Sequence, residues 1–576
     1  MNKFFTRITA IVVIALVAIG CGGKKSKEEA APAKPFEAEL FAYVDAKQLV
    51  EKSDLISYLD SSQRQMLATL ATAELENDED AAFVKSIIMD PANTGLSLDK
   101  PAYGYIRNFE DDGAEGAIVI EVNDAEKVKR VFEFLAKYSD EISIEKSGDK
   151  YLVVSDELDK EVAIGFNAKR FIFAASALRS GKEMLTDAFA AADPNFAYFD
   201  KRDVALWLDA NALFDIIEVN IKDNLESLRE DASYYRDDEW YANQIASMEG
   251  QLAQFEELRK SVGPNASVTM GLTFNDGNVA LDITTDGFKA EDVAATTVTN
   301  AHLNYLPYNT VAVANVGIIG DKLVKVFDTV FTDEFAAQNG IERNEFRTIK
   351  EIVSGAVGSI NGDVTAALTK VEGYSINQTP YVEAVALVDV KDSYIFNNVK
   401  LFGQGYIRRI NDENYAFDVD NYNTIFFGEQ NNLLYAGFNT RVEQKPNSAA
   451  NTRWAKETEG SLGYMLIDVK GLMEQSYIRL AWNTLAYEIG DTAFGIVNDF
   501  VDMLDYVAFK TNSTSSAEFR IALKEEQTNS LKQITNFAVD ALPVIIEAAT
   551  AEQEYEEYDD EYFYDEEADV MIEPAW

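Results

Sequence analysis

Leu40-Phe41-Ala42-Tyr43-Val44-Asp45-Ala46-Lys47-Gln48-Leu49-Val50 is the stretch on which the fold turns. Its first five residues favour a strand, and after Asp45 the apolar period becomes helical. Asp45 stands where an N-cap belongs, because a carboxylate there accepts hydrogen bonds from the orphan amides of a first helical turn. The unit recurs. Val204-Ala205-Leu206-Trp207-Leu208 leads into Asp209-Ala210-Asn211-Ala212-Leu213, and Gly463-Tyr464-Met465-Leu466-Ile467 into Asp468-Val469-Lys470-Gly471-Leu472. A looser copy is Val311-Ala312-Val313-Ala314-Asn315 before a helix from Asp321 to Phe331.

Working outward, the recurrences stay in order when the chain is shifted by roughly 260 to 270 residues, the mark of a duplicated module. Ile118-Val119-Ile120-Glu121-Val122 with Asp124 behind it corresponds to Val385-Ala386-Leu387-Val388-Asp389 with Asp392. The pair Tyr151 to Val154 and Ala163 to Ala175 corresponds to Tyr415 to Val419 and Ile425 to Gly437. Val268 to Thr284, turning at Asn275-Asp276-Gly277-Asn278, corresponds to Tyr506 to Leu523, turning at Asn512-Ser513-Thr514. So many hairpins among strand-to-helix units favour antiparallel sheet with helices over a doubly wound parallel sheet. The expected fold is α+β: two tandem related modules, residues 40–290 and 300–550. An apolar stripe of Met248, Leu252, Phe255 and Leu258 reads as core contact of a helical insertion in the first module.

Ahead of the modules, Lys3 and Arg7 precede an apolar run from Ile8 that is shorter than a membrane-spanning helix and ends in Ala18-Ile19-Gly20-Cys21. That ending resembles the bacterial lipobox, which implies a signal over residues 1–20, cleavage, and acylation of Cys21. Residues 21–39, rich in Lys, Glu, Ala and Pro, read as a flexible tether. Residues 551–576 read as a disordered acidic tail, with eleven Asp and Glu between Glu552 and Asp569.

Composition narrows the functions. The 98 acidic residues against 51 basic ones, net charge −47, argue against nucleic acid as partner, since its phosphates need clustered Lys and Arg. Beyond Cys21 no cysteine remains, so no disulfide staples the fold. A single histidine, His302, removes dyads and multi-histidine zinc sites, and reads as a surface or linker residue. Ser143-Ile144-Glu145-Lys146 has serine-acylase spacing, but on a strand its side chains diverge. Asp418-Val419-Asp420-Asn421-Tyr422 with Glu429 has fragments of a calcium loop without its glycine. No catalytic residue, metal or cofactor is expected.

Asp90-Pro91-Ala92-Asn93-Thr94-Gly95-Leu96-Ser97-Leu98-Asp99-Lys100-Pro101-Ala102-Tyr103, with Tyr43 to Leu55 ahead and Ile118 to Leu135 behind, resembles a segment of the Bacteroides-type lipoproteins grouped as domain of unknown function family 4836. The resemblance implies placement on the cell envelope and supplies no catalytic residues. Residues and resemblance together point to a non-enzymatic envelope lipoprotein, held at the membrane, with the outer membrane favoured, by lipid on Cys21. A protein, a glycan or a cation is the expected further partner. The alternatives are a carboxylate-dependent hydrolase of glycans and a carrier with a cavity between sheet and helices for an apolar ligand.

Overall fold

A computed structural model describes residues 34–544, except 55–63, 66–67, 70, 74, 76, 111–112, 139–141, 156–159, 235–238, 261, 289–293, 333–341 and 412. The signal, Cys21 and the acidic tail lie outside the described residues. The first half contributes β1 Leu40–Val44, β2 Ala102–Glu110, β3 Gly113–Glu121, β4 Ile142–Ser147, β5 Lys150–Ser155, β6 Val162–Phe166, β7 Arg170–Ser176, β8 Val204–Asp209, β9 Val262–Asn275 and β10 Asn278–Phe288. After the two-residue β11 Ala295–Thr296 come β12 Ala312–Ile319, β13 Ile360–Glu372, β14 Tyr381–Val390, β15 Ile407–Arg409, β16 Asn414–Asp418, β17 Thr424–Gln430, β18 Leu433–Phe438, β19 Gly463–Asp468, β20 Leu504–Ser513 and β21 Ser516–Leu523.

These strands pair antiparallel into one sheet. The first half runs β4-β5-β6-β7-β3-β2-β1-β8-β9-β10 across it. From the opposite end the second half runs β15-β16-β17-β18-β14-β13-β12-β19-β20-β21, the same order in corresponding strands. The halves meet where β10 pairs with β21 over seven residue pairs, from Asn278↔Ala522 to Thr284↔Ser516, with Leu281 facing Phe519 at the centre. The seam is therefore a pseudo-two-fold axis, and the fold is the expected α+β duplication.

The helices follow the same correspondence. In the first half they are α1 Ala46–Ser53, α2 Asp78–Met89, α3 Ala125–Tyr138, α4 Gly181–Ala190, α5 Ala210–Tyr234 and α6 Glu239–Arg259. In the second they are α7 Gly320–Val330, α8 Arg343–Ser359, α9 Tyr394–Phe402, α10 Arg453–Thr458, α11 Val469–Met473, α12 Ser476–Ile489 and α13 Asp491–Met503, followed by a helix over 530–544. The caps form as the sequence requires: Asp45 Oδ1 accepts the Gln48 amide at 3.0 Å and Asp468 Oδ1 the Gly471 amide at 2.6 Å. One turn moves: Ser513 stays in β20, so the β20–β21 hairpin turns at Thr514 and Ser515, not at 512–514.

The segment Asp90 to Tyr103 is fixed by a close approach. Asp90 caps a 3₁₀ turn at Pro91–Thr94, and Gly95 follows with φ +82°. The Gly95 carbonyl accepts from the amides of Asn123 (2.9 Å) and Asp124 (3.0 Å), just ahead of α3. A Cβ on Gly95 would lie 2.3 Å from the Asp124 carbonyl oxygen, so only glycine fits this conformation and contact.

One face of the sheet is closed. In the first half Phe41, Tyr43, Tyr103, Tyr105 and Trp207 pack with Met184 and Leu185 of α4. In the second, Val313, Leu387, Tyr464 and Tyr506 pack with Trp454 of α10 and with Leu303 and Leu306. The opposite face is covered in the first half over β8 to β10, where Leu208, Val268 and Ile283 form a cluster with Phe214 of α5 and Phe255 of α6. Met248, Leu252 and Phe255 of the stripe are half-buried, and the two rings Phe214 and Phe255 lie 4.9 Å apart; the side chain of Leu258 lies outside the described residues.

Candidate functional site

On this second face, the C-terminal half carries a groove of about 830 Å³ in which every lining residue is apolar. Strand alternation places its floor. Ala436, Ala386, Ala366, Ala314, Met465, Phe509 and Phe519 are successive cross-strand partners on β18, β14, β13, β12, β19, β20 and β21. Six inter-strand steps make the row about 29 Å long at the usual strand spacing. Alanine methyls give the β18–β12 end depth, while Met465 and Ile467, 65% and 47% exposed, and Phe519 stand up at the other. Ala312, Leu368 and Ala384 continue the floor towards one edge. A concave site of this size ordinarily has a few polar groups that orient its ligand; here none lines it, so it selects for apolar area and shape. The signal in the sequence was alanine at alternate positions, Ala312 and Ala314 or Ala384 and Ala386; strand pairing sets these against Leu40 and Ala42 or Gly116 and Ile118, which corrects by one residue the expected match of Ile118 with Val385.

The histidine is not on the surface. His302, 2% exposed in a 3₁₀ turn at Ala301–Tyr305, lies with Nδ1 2.8 Å from Thr365 Oγ1 and Nε2 3.0 Å from Asp389 Oδ1. The surface or linker reading is thus corrected: Leu303 and Leu306 anchor the turn in the core and carry the ring inside with them. Threonine, histidine and aspartate stand in the order of a nucleophile relay, but the Thr365 hydroxyl donates to Asn315 Oδ1 at 3.0 Å and is itself buried. Asp389 Oδ2 also accepts the Asp363 amide at 2.9 Å, and Asp363 accepts the Thr299 amide and hydroxyl. Burial raises the Asp389 pKa, yet the hydrogen bond and charge of His302 and the Asp363 amide outweigh it, leaving the carboxyl below its ordinary range. The cluster ties the turn to β12, β13 and β14, which form part of the groove floor.

A second buried acid, Glu115, 2% exposed on β3, accepts from Arg107 Nε (2.9 Å), Arg179 Nε (2.7 Å) and Asn108 Nδ2 (2.7 Å). Burial raises its pKa, and the two guanidinium groups pull it below the ordinary range. Ser143 and Lys146 lie on β4 three residues apart, so their side chains leave opposite faces. Asp420 is occupied within its own turn by the amides of Tyr422 and Asn423, at 2.7 and 2.8 Å. Among the described residues no three His, Cys, Asp or Glu side chains gather as a metal set, and no helix is long and apolar enough to cross a membrane.

Comparison with curated proteins and with solved structures returns no match. The family profile described as Domain of unknown function (DUF4836) matches residues 33–531, from the first described residues through both halves of the sheet. The duplicated sheet, the Asp90 to Tyr103 segment locked onto α3, and the groove thus all fall within the match, and the chain belongs to the DUF4836 family.

Proposed function

We propose that this protein is a lipoprotein of the cell envelope, with the outer membrane favoured, held by acyl groups on Cys21, and that its body binds the acyl chain of a lipid in the alanine-floored groove. The wholly apolar lining carries the binding half of this reading; the Ala18-Ile19-Gly20-Cys21 pattern carries the anchoring half. A long methylene chain suits a site about 29 Å long that offers no hydrogen bond. Each methylene laid on the floor contributes about 0.8 kcal/mol, so two more methylenes raise affinity about tenfold until the groove is full.

Titration with saturated fatty acids of increasing length, competing against the fluorescent fatty acid cis-parinarate, tests the binding half. Affinity should climb with length and then level off, and Ala386→Asp should lose at least tenfold. Length-independent affinity, or an unaffected Ala386→Asp variant, would sink it. For the anchor, Cys21→Ser should move the protein from the membrane to the aqueous fraction; retention of that variant at the membrane would count against lipidation.

A further inference from the structure

The duplication supplies an internal comparison. In both halves the strand after the crossover ends in a capping aspartate, Asp209 or Asp468, and a helix begins at once. Leu208 pairs with Leu40 and Val268; its counterpart Ile467 pairs with Ala312 and Val507. Leu208 is 8% exposed and Ile467 47%. The difference lies in the helices that follow.

In the first half α5 continues straight from Asp209, places Phe214 on the sheet with 1% exposure, and returns as α6 with Phe255 beside it. In the second half α11 ends after five residues and the chain bends at Glu474–Gln475. Gln475 fastens the bend to the end of β13: its Oε1 accepts the Val371 amide at 2.9 Å and its Nε2 donates to the Gly471 carbonyl at 3.0 Å. The α12–α13 hairpin therefore stands at the edge of the groove. Neither helix has a buried residue, although they carry Ile478, Leu480, Trp482, Leu485, Phe494 and Ile496. An apolar hairpin only half-buried, with Trp482 against Phe494 at 5.8 Å and Phe500 against Phe537 of the helix over 530–544 at 5.6 Å, stands beside an apolar floor on which Met465 and Ile467 stay exposed, and the same elements in the other half are closed on each other.

We propose that the α12–α13 hairpin is a lid that swings about Gln475 and the start of β20 and closes over an acyl chain in the groove, as α5–α6 closes over β8 to β10. This rests on the groove being an acyl-chain site. Closing buries Met465, Ile467 and the inner faces of α12 and α13 on both sides of the ligand, which explains how a site without polar anchors keeps a hydrocarbon out of water. The ligand fills the gap between alanine floor and lid that the α5 side chain Phe214 fills in the first half.

Hydrogen exchange of the Cys21→Ser chain with and without saturating cis-parinarate tests the lid, while parinarate fluorescence reports binding separately. The expected result is saturable binding with amide exchange slowed at least tenfold across residues 476–503, and loss of both effects in Ala386→Asp. Saturable binding that slows exchange only in β12 to β14 and β18 to β21 would overturn the lid and leave the groove as a ligand site. Absence of saturable binding would overturn both. Gln475→Ala, which frees the bend from β13, should weaken binding and raise hairpin exchange in the bound state; unchanged exchange there would also count against the hinge.

Discussion

Gly95→Ala isolates what the close approach of one turn contributes to stability, because Gly148→Ala offers a matched control. Both glycines have positive φ, +82° and +66°, so each alanine meets the left-handed penalty of about 1–2 kcal/mol. The gain from a stiffer unfolded chain is also common to both. They differ in surroundings: nothing lies within 4 Å of a Cβ at position 148, whereas at 95 it would meet Asp124 O at 2.3 Å, Lys127 Cβ at 2.8 Å and the Val128 amide at 2.9 Å. Relieving that clash pulls the turn from α3 and strains the bonds from the Asn123 and Asp124 amides to the Gly95 carbonyl. At about 1 kcal/mol for each bond, Gly95→Ala should cost about 2 kcal/mol more than Gly148→Ala. Urea unfolding followed by circular dichroism gives both values from midpoints and slopes. Equal midpoints for the two variants would refute the reasoning, because backbone conformation would then be the whole effect.

Glu115→Ala leaves Arg107 and Arg179 with Asp187 as their remaining carboxylate, at 3.4 and 2.6 Å. Because both arginines keep that partner and some solvent, the loss should fall near 2 kcal/mol, below the 3–5 kcal/mol of a fully orphaned buried charge; a melting curve matching that of the parent would contradict the burial argument. Asp389 titrates lower when folded than unfolded, so its contribution is present above about pH 4 and fades as pH falls through the folded value. Asp389→Asn should therefore flatten the acid limb of a stability-against-pH profile, and an unchanged acid limb would remove the His302–Asp389 pair from the account.

The strand-to-helix units were legible because each carries its own local chemistry: a run of strand formers, then an aspartate whose carboxylate reaches the next turn. Hairpins were legible for the same reason, through Asn275-Asp276-Gly277-Asn278 or the left-handed pair Asn431 and Asn432. The duplication followed from the order of these units. What the residues did not show was the seam, since pairing of β10 with β21 joins positions over 230 apart and depends on no local pattern. His302 was misplaced because its burial comes from Leu303 and Leu306 and from hydrogen-bond partners 63 and 87 residues away. Alanine alternation was visible, but whether such a face is open depends on where the next helix goes. That was decided by the bend at Gln475, which a helical period continuing on both sides conceals.

Joining the halves edge to edge also changes what a break in the chain would do. A protease cut between Phe288 and Ala295 would sever the backbone, yet the fragments would remain clasped by the β10–β21 ladder, separating under denaturant and travelling as one particle without it. The covalent link between the halves is thus mechanically redundant, and cooperativity between them passes through the β10–β21 ladder and the side chains packed across it, Ile283 with Ala517 among them.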